Sequence, residues 1–580
     1  MSRPFRALFC SQGFAQGWYV LPRRDKTSPS EAKNRSTAGS VGYMGHDART
    51  CPRPKIFNAT SAFCDGKLSP TSIYRYLHGN CHRLFPDESF ADLFKDIGRR
   101  SVPPRIVAVV MTLQKLEGLS DREAVDRISF DLRWKYAAGG LDVDYPGFVH
   151  TVLVDMRARL RESARPDRVF EVVLEVARAA GLVGRKRVLD STPLYDAVAT
   201  QDTVTMIRSA IRGLLREAPD ALEAQLRSLL KRDDDYSTAG KPSCDWDDAK
   251  AREALIDALT RDAKALLAGA DGQALFEDVS KAATLLATVV GQDIEEADNA
   301  TFRIARRVAN DRVISTVDPE ARHGHKSSAR RFDGYKGHIS IDPDSEIITT
   351  TKVTPGNVGD GAVAQALLGE CLSEDDETEA TPDPEASSEA DTKKSVEAYG
   401  DAAYGTADNL KALKTAAVVS HFKVQGPARR KGKFSKDDFA IDLDKRTVTC
   451  PNGECVEVRP AQDGGGRAKF ALTCGTCPLR SQCTDAKAGR TIEIHPDERI
   501  LSQERERQKD PRWIEDYRAT RPKVERKLGH LMSRRHGGRR ARVRGVQRVG
   551  HDFSLLAAVA NLKRLALLAI PVAQTAVAGS

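Results

Sequence analysis

The chain has 580 residues, 40% of them hydrophobic and 29% charged, with 90 Lys and Arg against 81 Asp and Glu for a formal net charge of +9. A length of this order holds several cores at roughly 100–200 residues each, so a disordered or fibrous class is excluded. The apolar run from Leu565 is broken by Pro571 and preceded by Lys563 and Arg564, which is too short to span a bilayer, and no membrane association is expected.

Residues 1–65 read as a poorly structured leader. Ser11, Gln12 and Gly13 interrupt any signal-peptide core behind Arg3 and Arg6. Residues 66–183 read as a helical N-terminal domain. In it, Pro103-Pro104 opens a helix with Ile106, Val107, Val110, Leu113 and Leu116 at helical spacing, and Gly118 ends it. Ser120 and Glu123 then form a capping box for the next helix. Two short helices around a glycine turn fit either a DNA-binding helix-turn-helix or a small bundle.

Residues 184–202 carry a strand ending in Asp190-Ser191-Thr192, and 203–312 are a helical insertion rich in Ala, Leu, Arg and Glu. From 313 to 424 strands resume at Tyr335–Ile341 and Ile347–Val353, with a helix predicted from Asp360 to Leu372. An acidic loop follows at 373–394, with nine acids between Glu374 and Asp391. Next come a strand into Gly400-Asp401, a helix over 407–416 and a strand at Val418–Val424. A Cys-rich insertion occupies 425–500, and 501–580 carry a helix over 511–535, a basic tail and a helix over 553–570. The order of elements is that of a mixed α/β domain.

Between Arg518 and Arg548 there are 12 Lys or Arg and a single acid, Glu525. Such a stretch attracts a polyanion. Glu525 reads either as a partner of Arg521 one helical turn away or as an oxygen ligand for a divalent ion beside phosphate. Asp190 and Asp401 each end a strand and precede small residues, where ligands of open α/β sheets sit, although an acid there also suits a turn cap.

In chain order, Leu189-Asp190-Ser191-Thr192, Asp318-Pro319-Glu320-Ala321-Arg322, Gly334-Tyr335-Lys336-Gly337-His338, Thr354-Pro355-Gly356-Asn357, Gly400-Asp401-Ala402-Ala403-Tyr404-Gly405 and Arg521 four before Glu525 resemble the DDE-type insertion-sequence transposases of bacteria. The resemblance runs from about 70 to 565. It implies a ribonuclease-H-like mixed sheet with flanking helices, and Asp190, Asp401 and Glu525 as catalytic acids holding two Mg²⁺ or Mn²⁺ ions. It further implies cleavage of element ends and joining of their 3′-OH groups to target DNA. The protein would then be cytoplasmic and nucleoid-associated, with double-stranded DNA as partner and a homodimer or larger assembly on synapsed ends. The family places a Tyr seven before this Glu and a Lys seven after it; here those positions hold Arg518, with Tyr517 beside it, and Met532, with Arg534 and Arg535 beyond.

Lys336 and His338 share a strand face and are expected to touch DNA phosphate unless they form an exposed edge; Arg521, Arg526, Lys527, Arg534 and Arg535 are further candidates. Cys474 and Cys477 are two residues apart, and Cys450 and Cys483 complete a set of four suited to structural Zn²⁺, with Cys455 as a fifth cysteine. Buried free thiols fit the same pattern. The alternatives to a transposase are a related nuclease without strand transfer and an inactive relative that only binds DNA.

Overall fold

The computed structural model describes residues 59–94, 101–196, 200–273, 275–327, 330–372, 395–429 and 432–572, all within one compact unit that spans Arg53–Ser580. The expected leader lies outside the described residues as far as 58, and the acidic loop 373–394 lies outside them entirely. Residues 59–64 are an exception to the leader reading. Thr60–Cys64 is a helical turn, and buried Thr60 donates its hydroxyl to the Leu141 carbonyl at 2.8 Å.

The architecture is mixed α/β around one large sheet. Its strands are β1 (Lys186–Tyr195), β2 (Arg322–Ser327), β3 (Arg330–Ile341), β4 (Ile348–Pro355), β5 (Glu397–Gly400) and β6 (Val419–Phe422). The order is β2-β3-β1-β5-β6, with β4 also paired to β3. β3 runs antiparallel to β1, β2 and β4, while β1, β5 and β6 are mutually parallel along the path. β1 is therefore central, with Val188 in a core on one face and Leu189 in a core on the other. A strand covered on both faces reads as a continuous apolar run rather than an alternation, as Val188-Leu189 does.

One face of the sheet shares its core with the helical N-terminal segment and the helix Val546–Leu567. That helix is apolar nearly all round because it is buried between the two. Its fully buried Asn561 both accepts from the Ile348 amide and donates to the Ile348 carbonyl at 2.8 Å, satisfying backbone groups that would otherwise be orphaned. The Asp318-Pro319-Glu320 stretch is structural: Tyr335 donates its hydroxyl to Asp318 at 2.6 Å, and Glu320 accepts from the Val546 amide at the start of the long helix. The other face is covered by Ala407–Thr415 and the short turns between 360 and 372. The expected helix over Asp360–Leu372 is thus three short pieces, Asp360–Val363, Ala364–Leu367 and Gly369–Leu372.

The helix Pro104–Glu117 is buried from Ile106 to Leu116, and Gly118 ends it in the left-handed conformation at φ 68°. Asp121–Phe130 follows with the Ser120–Glu123 capping box and buries only Ala124 and Ile128. Between β1 and β2, the helices Thr203–Glu217, Asp220–Ser228, Ala249–Ala270 and Glu277–Asp293 close around a core of their own. After β6 the chain forms a second, five-stranded sheet of β7 (Ala440–Asp442), β8 (Thr447–Thr449), β9 (Cys455–Pro460), β10 (Gly466–Lys469) and β11 (Thr491–Ile494), again with a separate core.

The helix predicted over 511–535 is divided. Pro511–Thr520 and Pro522–Leu531 meet at Arg521, because Pro522 has no N–H to continue the ladder. The break sets Arg521 at the junction with helical angles, its amide still bonded to the Tyr517 carbonyl at 2.9 Å.

Candidate active site

Asp190 lies in β1, and its Oδ1 accepts from the Ser191 amide at 2.8 Å. Asp401 follows β5 directly, and its Oδ1 accepts from the Ala403 amide at 2.9 Å. Gly400 before it has no room for a side chain, since a Cβ there would lie 2.9 Å from both Phe422 and Tyr404. β1 and β5 are hydrogen-bonded neighbours, so two acids 211 residues apart in sequence arrive at one end of the sheet.

The third acid arrives through Arg521. This guanidinium is buried, and its Nη2 lies 3.0 Å from Asp190 Oδ1 and 3.7 Å from Asp401 Oδ2, while its Nη1 lies 3.5 Å from Glu525 Oε1. One cation thus faces all three acids. Asp190 is mostly buried, whereas the Asp401 and Glu525 side chains are 44% and 65% exposed, so two of the three retain oxygens open to solvent. Burial raises the Asp190 pKa, against the pull of Arg521. Burial alone would lower the Arg521 pKa, but Asp190 and Asp401 bring it above the ordinary value. Glu525 pairs with Arg521, and through Arg521 it stands near the two aspartates.

A polar cleft opens beside the acids, lined by Asp190, Asp401, Asp360, Lys336, His325 and Lys326 among others. Asp360 accepts from the Ser191 hydroxyl at 2.7 Å and from Lys336 Nζ at 2.9 Å, and Lys336 also donates to the Val358 carbonyl at 2.8 Å. Lys336 is thus at the cleft but committed to an acid. Asp360 has no local mark in the sequence, whereas His325 and Lys326 belong to a basic run. The density of His323, His325, Lys326, Arg330 and Arg331 around one turn was the available signal.

Several expected DNA contacts need correction. His338 is fully buried, with Nε2 2.9 Å from Thr354 Oγ1, and burial pushes its pKa down to about 4. The reason is that β3 is an interior strand flanked by β1 and β4, not an edge. Lys527 is also buried, 3.7 Å from Glu346, and burial lowers its pKa to about 8. Arg526 pairs with the same Glu346, so the turn between β3 and β4 supplies acids that the local sequence lacks. Arg534 and Arg535 are exposed. Elsewhere in the basic run, Arg542 donates to the Leu119 carbonyl at 2.9 Å and to that of Gly118, closing the end of Pro104–Glu117.

A second acidic group lies next door. Among the described residues, only Glu397, His421 and Asp516 bring potential ligand atoms all within 4.8 Å of one another. Tyr399 stands between the two carboxylates, its hydroxyl 2.6 Å from Glu397 and 2.7 Å from Asp516. Its ring stacks on His421 at 4.3 Å, and burial together with the two carboxylates raises the phenol pKa. Burial lowers the His421 pKa. Among the cysteines, Cys450, Cys474, Cys477 and Cys483 line one pocket, and Cys455 is exposed outside it.

No described helix is long and apolar enough to cross a membrane. A family model described as "Transposase DDE domain" matches residues 449–566, a stretch that contains Glu525 and the four clustered cysteines but neither Asp190 nor Asp401. A second, described as "Transposase domain (DUF772)", matches residues 74–159 in the helical N-terminal segment. No curated protein and no solved structure matches the chain. With one transposase match in the helical segment and another across the Glu525 helix, the chain is similar to DDE-type insertion-sequence transposases in those two stretches.

Proposed function

We propose that the protein cleaves DNA at the ends of an insertion sequence and joins the freed 3′-OH ends to target DNA, with Asp190, Asp401 and Glu525 as its catalytic acids. The observation that carries this reading is the single guanidinium of Arg521 facing three carboxylates drawn from β1, the end of β5 and a late helix. The sheet order, with two parallel strands carrying acids beside an antiparallel hairpin, supports a ribonuclease-H-like core. The helical segment of 203–312 and the Cys-rich segment of 425–500 are read as insertions into that core.

The donor set suits Mg²⁺ or Mn²⁺. It is all oxygen, it carries excess negative charge, and Asp401 and Glu525 keep lone pairs toward solvent. Two such ions, when bound, would activate water or a 3′-OH and stabilise the departing oxygen. The chain itself contributes the rest. β1 and β5 fix the two aspartates by backbone pairing, and the Ser191 and Ala403 amides orient one oxygen of each. Arg521 offsets the mutual repulsion of the acids. Asp360 holds Lys336 at the cleft wall.

The DNA backbone is read as passing along the paired ends of β2 and β3, where His325 and Lys326 line the cleft and exposed Arg330 and Arg331 follow, and along exposed Arg534 and Arg535. Synapsis of two ends calls for a dimer or larger assembly on DNA. The test is cleavage and plasmid joining of a labelled element end by purified protein with Mg²⁺. Cleavage without joining would select the nuclease reading, and binding without either would select the inactive relative. Near-normal cleavage by Asp401→Asn would remove that residue from the site.

A further inference from the structure

Outside the cleft, four cysteines gather in the module that follows β6, their sulfurs spaced more widely than the ligand atoms of Glu397, His421 and Asp516. Its apolar core is small, built on Phe439, Val448, Ala468, Phe470, Ile492 and Ile494. One wall of that core is sulfur. Cys450 follows β8, Cys474 and Cys477 follow β10, and Cys483 ends the helical turn Arg480–Cys483, yet all four line a single pocket with Phe434, Phe439 and Phe470. They come from three separate places in the module, so their meeting is a product of its fold. All four are free cysteines, with Cys474 and Cys483 buried. The fifth, Cys455, opens β9, is exposed and does not line the pocket.

Polar groups stand beside the sulfurs. The Arg490 amide donates to Cys474 Sγ at 3.4 Å, the kind of N–H···S contact that orients a metal-bound sulfur. Arg480 and Arg490 line the same pocket, and their guanidiniums bond to the Cys474 and Cys483 carbonyls at 2.9 and 3.4 Å. Two cations held against four sulfurs offset the charge that four thiolates would leave around a divalent ion.

We propose that Cys450, Cys474, Cys477 and Cys483 bind one structural Zn²⁺. Four thiolates match the closed tetrahedral site that zinc favours, and with every position taken by protein the ion is structural rather than catalytic. The four thiols release their protons to solvent on binding, and the binding free energy adds to the folding of a module whose own core is small. Its position gives the ion a wider consequence. The module lies in sequence between the Asp401 strand and the Glu525 helix, and it grips the helix Glu498–Arg507 through Glu498, which pairs with Lys436 and, at 2.6 Å, with Arg505. The proposal stands apart from the DNA chemistry and can fail without it.

The experiment is metal analysis of the full-length protein purified without chelator, alongside single Cys→Ser variants. One zinc per chain is expected in the wild type, with loss from Cys477→Ser and Cys483→Ser and retention by Cys455→Ser. A thiol-reactive mercurial added to the wild type should release the zinc into a colorimetric chelator, which keeps the test independent of whether any variant folds. Wild-type protein with little zinc, with stoichiometric iron, or with the four cysteines recovered as disulfides would overturn the assignment. So would zinc retained by Cys477→Ser or lost from Cys455→Ser.

Discussion

Two acidic groups sit within a few residues of each other along β5, and they are built in opposite ways. Glu397, His421 and Asp516 are the tighter group, but Tyr399 already bonds both carboxylates and the rings of Tyr399, His421, Trp513 and Tyr517 stack beside them. Asp190, Asp401 and Glu525 are held more loosely, by one guanidinium, and the two aspartates border an open polar cleft. Closeness of carboxylates is therefore a poor guide to chemistry here. What separates the two groups is whether a tyrosine hydroxyl and stacked rings already stand against the carboxylates and whether a substrate can reach them. A ring-covered cluster rigidifies the sheet, whereas a charge-heavy cluster with open oxygens has capacity for a cation.

The sharpest way to break this contrast is to neutralise one acid in each group. Asp401→Asn should lower DNA cleavage by at least about 10³-fold, as expected for a group acting on the reacting phosphate, while Glu397→Gln should change it by less than about 10-fold. Equal losses in a gel cleavage assay would erase the distinction.

The cleft side also carries a pH signature. Burial lowers the His338 pKa to about 4, so the unfolded chain binds the proton more readily than the folded one between the ordinary value of 6.5 and about 4. Stability contributed by neutral His338 is fully present above that window and lost as pH falls through it, by about 3 kcal/mol at most. Denaturant midpoints measured from pH 7 to pH 4 should fall less steeply for His338→Gln than for the wild type.

Arg521→Ala should lower metal-free stability by about 2 kcal/mol, less than a fully buried pair would lose, because Asp401 and Glu525 reach solvent. Mg²⁺ should then raise the melting temperature of the variant more than that of the wild type. Identical Mg²⁺ shifts would mean that the guanidinium and the ion do not answer the same charge. The smallest effect is expected in the closed group. Tyr399→Phe should cost about 1 kcal/mol through a lost hydrogen bond between carboxylates, with cleavage unchanged.

The residues that bring the site together were readable only in part. Asp190 and Asp401 stand out because each ends an apolar run; Asp401 does follow the end of its strand, but β1 continues past Asp190 to Tyr195, held there by its pairing with β3, so the strand does not end at Asp190 as expected. Glu525 stands out by charge contrast, but that contrast misled as well. The basic run looked unopposed in sequence, whereas Glu346 and Asp344 from the turn after β3 pair with Arg526, Lys527 and Lys523. His338 looked like a surface residue because alternation along a strand says which side chains share a face but not whether the strand is interior. The tyrosine-centred group of Glu397, His421 and Asp516 had no local signal, since its members come from two strands and a helix.

The sequence by itself determined the local devices: the Ser120–Glu123 cap, the Gly118 helix end, the break at Pro522 and the apolar strand run that leads to Asp190. These follow from backbone chemistry acting within a few residues. Only the tertiary structure decided that β1 and β5 are neighbours, that one arginine faces three acids, that four of the five clustered cysteines share a pocket, and that His338 is buried. Each of these depends on which distant segments cover which face, a choice set by the burial of whole sheets and helices rather than by any single stretch of chain.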